Sequence, residues 1–326
     1  MLTVLDHFPL ALLTCSPREL WQILPQPTLI HLRGAKAEVL FVSVLLHGNE
    51  TTGWLAIRQL LRDYGEQTLP RSLSLLIGNV TAARYGKRRL DWQTDYNRIW
   101  GNNCAPEAAI AQAVMAEMSQ RHLFACIDIH NNTGRNPYYS CVSYLSPPTL
   151  ALAELFSPIV LYYPPVTAEP LLINAFAPLC PALLLECGQP DQPAGTQAVY
   201  QYLHRILHLP ARPPQPTTKL QILQSIATIK LPADYTGKII LPPHLDRYNF
   251  QTVPANTLIA ELAVPFRVEN GQGQDLFHHF FHLRDGQIIT KTSIFPAMLT
   301  LCPQIIRQDC FCYLMTSLTH DFRAES

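Results

Sequence analysis

The stretch that decides the fold runs from Glu38 to Glu50, EVLFVSVLLHGNE. Glu38 to Leu46 is an apolar run rich in Val and Leu, and the polar tetrapeptide His47-Gly48-Asn49-Glu50 ends it. Such a run, bounded by a turn signal, reads as a buried strand. Thr51 and Thr52 can cap the next element, in which Trp54, Leu55, Ile57, Leu60 and Leu61 recur at helical spacing. The segment is therefore strand, tight loop, helix.

Outward from it the alternation continues. Leu73 to Ile77 (LSLLI) reads as a strand, Pro106 to Gln120 as a helix rich in Ala and Met, and Leu123 to His130 (LFACIDIH) as another strand. Pro158 to Tyr162 and Ala182 to Cys187 (ALLLEC) add two apolar runs, and Thr196 to Leu207 reads as a closing helix. This order predicts an α/β fold, a mostly parallel or mixed sheet flanked by helices. After His208 the stretch LPARPPQPTT places four prolines in ten residues and reads as a stiff linker. The expected division is a catalytic domain over 1–209 and a smaller β-rich domain over 210–326. Leu220 to Ile229, Gly237 to Leu241, Thr257 to Leu262 and Gln287 to Thr292 supply that domain's short, β-prone segments.

Composition narrows the partners. A chain of 326 residues with 48% hydrophobic content can bury a large core. Its 24 basic and 24 acidic residues balance, so no field draws it to nucleic acid or to an anionic membrane. A small molecule or short peptide is the expected substrate. Nine cysteines without a CxxC pair argue against a disulfide scaffold and for a reducing cytoplasm. The N-terminus carries Asp6 and His7 without a basic flank, so it does not read as a signal peptide. No apolar run reaches membrane-spanning length.

Chemistry-bearing residues gather at predicted strand ends, where open α/β sheets place their ligands. His47 and Glu50, three positions apart across a loop that Gly48 lets turn, can face one ion. His130 closes a strand in which Asp128 projects to the same face. Two imidazoles and a carboxylate form a zinc set that leaves a coordination position open. Glu186 ends a run that is expected to be buried, which makes it a candidate general base. A competing cluster, Phe277 to His282 (FHHFFH), has no companion carboxylate motif and reads as aromatic packing. Cys310-Phe311-Cys312 likewise reads as buried packing.

Taken in order, HGNE, DYNR at Asp95 to Arg98, DIHNNT at Asp128 to Thr133 and LLLEC resemble the succinylglutamate desuccinylase/aspartoacylase family, within the wider zinc carboxypeptidase-like group. The resemblance covers about residues 38 to 190 and reaches the C-terminal part only in outline. It implies one Zn2+ per chain on His47, Glu50 and His130, with Glu186 as the base. It further implies that Asn97 and Arg98 hold a substrate carboxylate, that Asp95 orients the His47 ring, and that Asn79 and Asn131 line the site. The family's carbonyl-polarising arginine falls in Lys87-Arg88-Arg89-Leu90, with Arg89 the first choice and Arg88 the second. The interval from there to DYNR is one residue longer than the family pattern. The implied activity is hydrolysis of an amide bond in a carboxylate-bearing substrate, by an N-acyl amino acid deacylase. A peptide-cleaving carboxypeptidase and a non-catalytic metal-binding protein are the alternatives.

Overall fold

The computed structural model describes residues 1–101, 104–164 and 170–318. In its described residues the chain forms two compact units, Met1–Asn131 with Tyr138–Val160 and Ala168–Leu220, and Asn132–Pro137 with Leu161–Thr167 and Gln221–Ser326.

The first unit runs β1 (Thr3–Leu5), β2 (Thr28–Leu32), β3 (Gly34–Val44), α1 (Thr52–Tyr64), β4 (Leu69–Ile77), α2 (Val80–Arg84), α3 (Ala108–Met118) and β5 (Leu123–His130). It continues through β6 (Tyr139–Val142), α4 (Pro147–Glu154), the start of β7 (Ile159–Tyr162, divided between the units after Val160), α5 (Leu172–Phe176), β8 (Ala182–Glu186) and α6 (Pro193–His208). The strands order β1-β2-β4-β3-β5-β8-β6-β7. At the centre, β3 pairs in parallel with β4 and β5, and β5 in parallel with β8. Antiparallel β2 against β4 and β6 against β8 make the sheet mixed.

The parallel centre explains the continuous apolar runs. Every residue of β5 and β8 is buried, as expected of strands covered on both faces by helices. Helix α1 buries Trp54, Ile57, Leu60 and Leu61, the helical stripe read from the sequence, and packs beside α6. Gly53 lets α1 lie close on the sheet, since a Cβ there would stand 2.9 Å from Val44 Cγ1 and 3.0 Å from Ile129 Cγ2. Parallel register then brings the C-terminal ends of β3, β5 and β8 side by side, with Ser43 opposite Asp128 and His130 opposite Glu186.

The second unit holds β9 (Gln221–Lys230), β10 (Leu258–Glu261), β11 (Arg267–Glu269), α7 (Phe277–Phe280), β12 (Phe281–Arg284), β13 (Gln287–Thr290), β14 (Pro296–Ala297), α8 (Pro303–Gln308) and β15 (Cys312–Leu318). β15 pairs antiparallel with β9 and β14, and β11 with β9. A separate antiparallel sheet runs β10-β13-β12. Phe266, Phe277, Phe281 and Phe311 are buried in its core, where Phe266 and Phe311 stack with ring centroids 5.0 Å apart.

Some details differ from the sequence reading. Gly237 to Leu241 forms no strand and contributes only an isolated bridge from Ile240 to Glu261, because Pro242 and Pro243 follow without N–H donors to extend a ladder. The FHHFFH segment buries Phe277, Phe280 and Phe281 and leaves His278 and His279 exposed. The proline-rich stretch after His208 groups with the first unit, and the last break between units falls at Leu220 and Gln221. All nine cysteines are free. Among the described residues no helix is long and apolar enough to cross a membrane.

Asn132–Pro137 groups with the second unit for a visible reason. A Cβ on Gly134 would stand 2.0 Å from the Leu299 carbonyl oxygen, Asn136 Oδ1 accepts from Met298 N at 3.0 Å, and the Thr133 and Thr300 hydroxyls meet at 2.6 Å.

Candidate metal centre

The loop after β3 is built by backbone constraint. Leu45 takes a left-handed conformation (φ 58°), a strained position for a branched side chain, and Asn79 N donates to its carbonyl. Gly48 presses against α2, where a Cβ would come 2.2 Å from Ala83 N, so no larger residue fits without moving backbone. Glu50 N donates to His47 O at 3.0 Å and closes the turn that aims both side chains the same way. Gly48 N donates to Arg88 O at 3.0 Å, which joins this loop to the arginine segment.

The three ligand candidates converge. His47 Nδ1 lies 2.8 Å from Glu50 Oε1, and His130 Nδ1 lies 2.8 Å from Glu50 Oε2. The two rings meet edge to face with centroids 4.9 Å apart. One donor atom from each residue lies within 4.8 Å of the others, and all three side chains are buried. Among the described residues this is the one group of three or more His, Cys, Asp or Glu side chains arranged to hold a metal ion.

Each imidazole is held from behind. His47 Nε2 meets Asp95 Oδ1 at 2.9 Å, and His130 Nε2 meets Asp128 Oδ2 at 2.8 Å. A carboxylate behind the ring fixes the Nε2–H tautomer and presents the Nδ1 lone pair, the arrangement of metal-ligating histidines. Asp95 also accepts from Asn97 N at 2.8 Å and is thereby locked at the start of the short turn Tyr96–Arg98.

The electrostatics ask for a cation. Burial and Arg88 pull the His47 pKa down, but Asp95 and Glu50 outweigh them and raise it. Burial opposes the charge of His130 too, and Asp128 with Glu50 raises its pKa well above the ordinary value. Burial alone would raise the Glu50 carboxyl, yet the two imidazoles hold it well below the usual carboxylate range. Asp95 is likewise held low against its burial by His47, Arg88 and Arg98. Two imidazoles and the Glu50 carboxylate, with Asp95 and Asp128 behind the rings, form a desolvated donor set of the kind that binds Zn2+, so the residues present fit that ion.

Glu186 is buried at the end of β8, paired in register with His130 of β5. Paired residues of adjacent parallel strands share a face, so its carboxylate projects from the same side of the sheet as His130. Cys187 N donates to His130 O at 3.0 Å and keeps the two strand ends aligned.

Arg89 turns away, donating from Nη1 to Gln93 O at 3.0 Å. Arg88 faces the centre instead: its Nε and Nη2 reach Asp95 Oδ2 at 3.2 and 3.0 Å, and its Nη1 lies 3.5 Å from Glu50 Oε1. The Gly48 bond to the Arg88 carbonyl sets that direction, and the next residue along the chain then points elsewhere. Asn79 caps α2 by accepting from Ala82 N at 3.0 Å and exchanges two hydrogen bonds with Gln93, at 3.0 and 3.2 Å. Both ends of its amide are engaged in these contacts. Asn131 is similarly engaged: Oδ1 accepts from Thr52 N at 3.2 Å, and Nδ2 donates to Thr52 Oγ1 and Gly188 O, both at 2.9 Å. Its backbone N–H steadies Glu50 Oε2 at 3.1 Å.

Asn97 is buried, with Oδ1 accepting from Leu172 N at 3.1 Å and Nδ2 lying 3.5 Å from His130 Nε2. Arg98 donates from Nη1 to Asn97 O at 3.1 Å. The residue missed in the sequence is Gln93, whose Oε1 also accepts from Leu90 N at 2.9 Å and so ties the arginine segment to Asn79. A lone glutamine in a polar loop gives no signal of such a role.

Residues 37–163 match the family model described as the succinylglutamate desuccinylase/aspartoacylase catalytic domain. The match to the desuccinylase/aspartoacylase domain spans His47, Glu50, Asp95 to Arg98 and His130, and stops short of Glu186. A comparison with curated protein sequences gives no match.

Solved structures agree on the fold. Succinylglutamate desuccinylase from Chromobacterium violaceum superposes with a TM-score of 0.61 at 16% identity, covering 88% of this chain and 86% of its own. Murine aminoacylase 3 gives 0.60 at 16% identity, over 87% of this chain and 96% of its own. A product-bound ectoine utilization protein from Ruegeria pomeroyi gives 0.62 at 13% identity, over 89% and 88%. The mixed α/β sheet with flanking helices and the separate C-terminal sheet are thus the desuccinylase/aspartoacylase architecture.

Proposed function

We propose that this chain is a zinc-dependent hydrolase that removes the acyl group from a small N-acyl amino acid. The observation that carries the reading is the convergence of His47 Nδ1, His130 Nδ1 and the Glu50 carboxylate, each imidazole backed by its own carboxylate. Those three side chains would hold one Zn2+. Bound there, zinc would supply Lewis acidity, polarising an amide carbonyl and bringing the ionisation of water toward neutral pH.

The remaining residues divide the other tasks. Glu186, on the His130 face, takes the proton of the attacking water and returns it to the leaving amine. Arg88, and not its neighbour Arg89, supplies the guanidinium for the carbonyl oxygen as negative charge grows there. Asn97 and Arg98 anchor the substrate carboxylate, since a planar guanidinium pairs bidentately with it and fixes the distance to the scissile bond. Asp95 and Asp128 keep the imidazoles in the ligating tautomer. The named activities of the structural relatives, desuccinylase and aminoacylase, support an acyl amino acid as substrate. The proposed catalytic domain is 1–209, with 210–326 a β-rich domain of its own. The free cysteines fit a reducing, cytoplasmic setting.

The test is a panel of N-acyl amino acids and short peptides assayed on zinc-loaded protein, beside the Glu186→Gln variant. Turnover of acyl amino acids that Glu186→Gln abolishes supports the reading. Turnover confined to peptides, or equal in the two proteins, overturns it.

A further inference from the structure

Outside this centre, the described residues hold a pair of neighbouring histidines on the exposed side of α6. His204 and His208 are four residues apart and therefore neighbours on one helix face. Their ring centroids lie 4.4 Å apart, with planes tilted by 38°. Both side chains are exposed to solvent.

Three features set this pair apart from two loose surface histidines. First, His208 Nδ1 lies 2.8 Å from the His204 carbonyl oxygen, so Nδ1 carries the proton and Nε2 the lone pair. A backbone carbonyl behind the ring is one of the devices that orient metal-ligating histidines. Second, the rings are braced by tyrosines: Tyr64 of α1 stacks with both at 6.4 Å, and Tyr200 of α6 stacks with His204 at 6.2 Å. Bracing removes side-chain freedom before any ligand arrives, which lowers the entropy cost of capture. Third, the local field favours a cation. His208 is the last residue of α6, where the helix dipole is negative, and Asp63 hydrogen-bonds with the Tyr200 hydroxyl nearby. Arg205 is the opposing charge, but it is adjacent in sequence to His204 and directed to another face.

We propose that His204 and His208 form a second metal site, a surface chelate for a divalent transition ion with water completing its coordination. Two imidazoles and no thiolate select Cu2+ over Ni2+ and Zn2+ by the general order of affinities for nitrogen donors. The Tyr64 hydroxyl, 3.5 Å from His208 Nε2, is the group that the arriving ion displaces. This site is independent of the strand-end centre and of the reaction proposed for it.

The experiment is Cu2+ titration of the purified protein, followed by electron paramagnetic resonance, on wild type and on His204→Ala, His208→Ala and His47→Ala. Both α6 variants replace exposed side chains, and circular dichroism melts confirm their folding. The expected result is a Cu2+ signal with nitrogen coupling from two imidazoles that His47→Ala retains. Each α6 substitution should weaken it about 100-fold, the order gained by holding a second donor in place. Cu2+ binding that survives either α6 substitution unchanged, or that only His47→Ala removes, overturns the proposal.

Discussion

Two regions of this chain bring histidines together and differ in nearly everything that governs chemistry. At the strand ends, His47 and His130 are buried, share Glu50, and are each backed by an aspartate. In FHHFFH the phenylalanines are buried, while His278 and His279 face water and the ring neighbours are aromatic. What separates these two regions is the supply of buried carboxylates, which gathers His47, Glu50 and His130 into a candidate cation site, whereas His278 and His279 stay solvated.

That contrast can be attacked at graded strength. The largest effect is expected from Glu186→Gln, which removes the proton carrier and should lower kcat by about 100- to 10 000-fold with the zinc content unchanged. Steady-state kinetics on the zinc-loaded variant checks it. Asp95→Asn should follow, weakening zinc about 10- to 100-fold in a chelator competition by loosening the His47 tautomer. Gln93→Ala strips partners from Asn79 and from the Leu90 N–H inside a buried network, at about 1–3 kcal/mol in denaturant unfolding. The smallest effect belongs to the other region: His278→Ala should stay within about 0.5 kcal/mol of wild type and leave the metal content alone. If His278→Ala loses metal or Asp95→Asn keeps its full affinity, burial and carboxylate supply are not what distinguish the regions.

Legibility in the sequence followed the same division. Leu123 to His130 reads as the strand that the structure shows, because a run buried on both faces leaves no polar interruption. Short strands such as β1 and β6 carry too few residues to announce a period, and β15 at the chain's end was equally unread. The grouping of His47, Glu50 and His130 and the burial of Glu186 were legible because ionisable groups at the ends of apolar runs are costly unless used. The choice between Arg88 and Arg89 was not, since adjacent arginines look alike until the Gly48 bond to the Arg88 carbonyl fixes which one turns inward. The partners of Asn79 and Asn131 were illegible for a related reason. Their amides are consumed by partners distant in sequence, Gln93 for one, Thr52 and Gly188 for the other, and no local pattern encodes them.

The most direct test of the central claim is elemental analysis of purified, dialysed wild-type protein alongside His130→Ala. The account predicts about one zinc per wild-type chain and a loss of nearly all of it in the variant. A wild-type protein that takes up no zinc even when reloaded, or a His130→Ala variant that keeps its full complement, would contradict it.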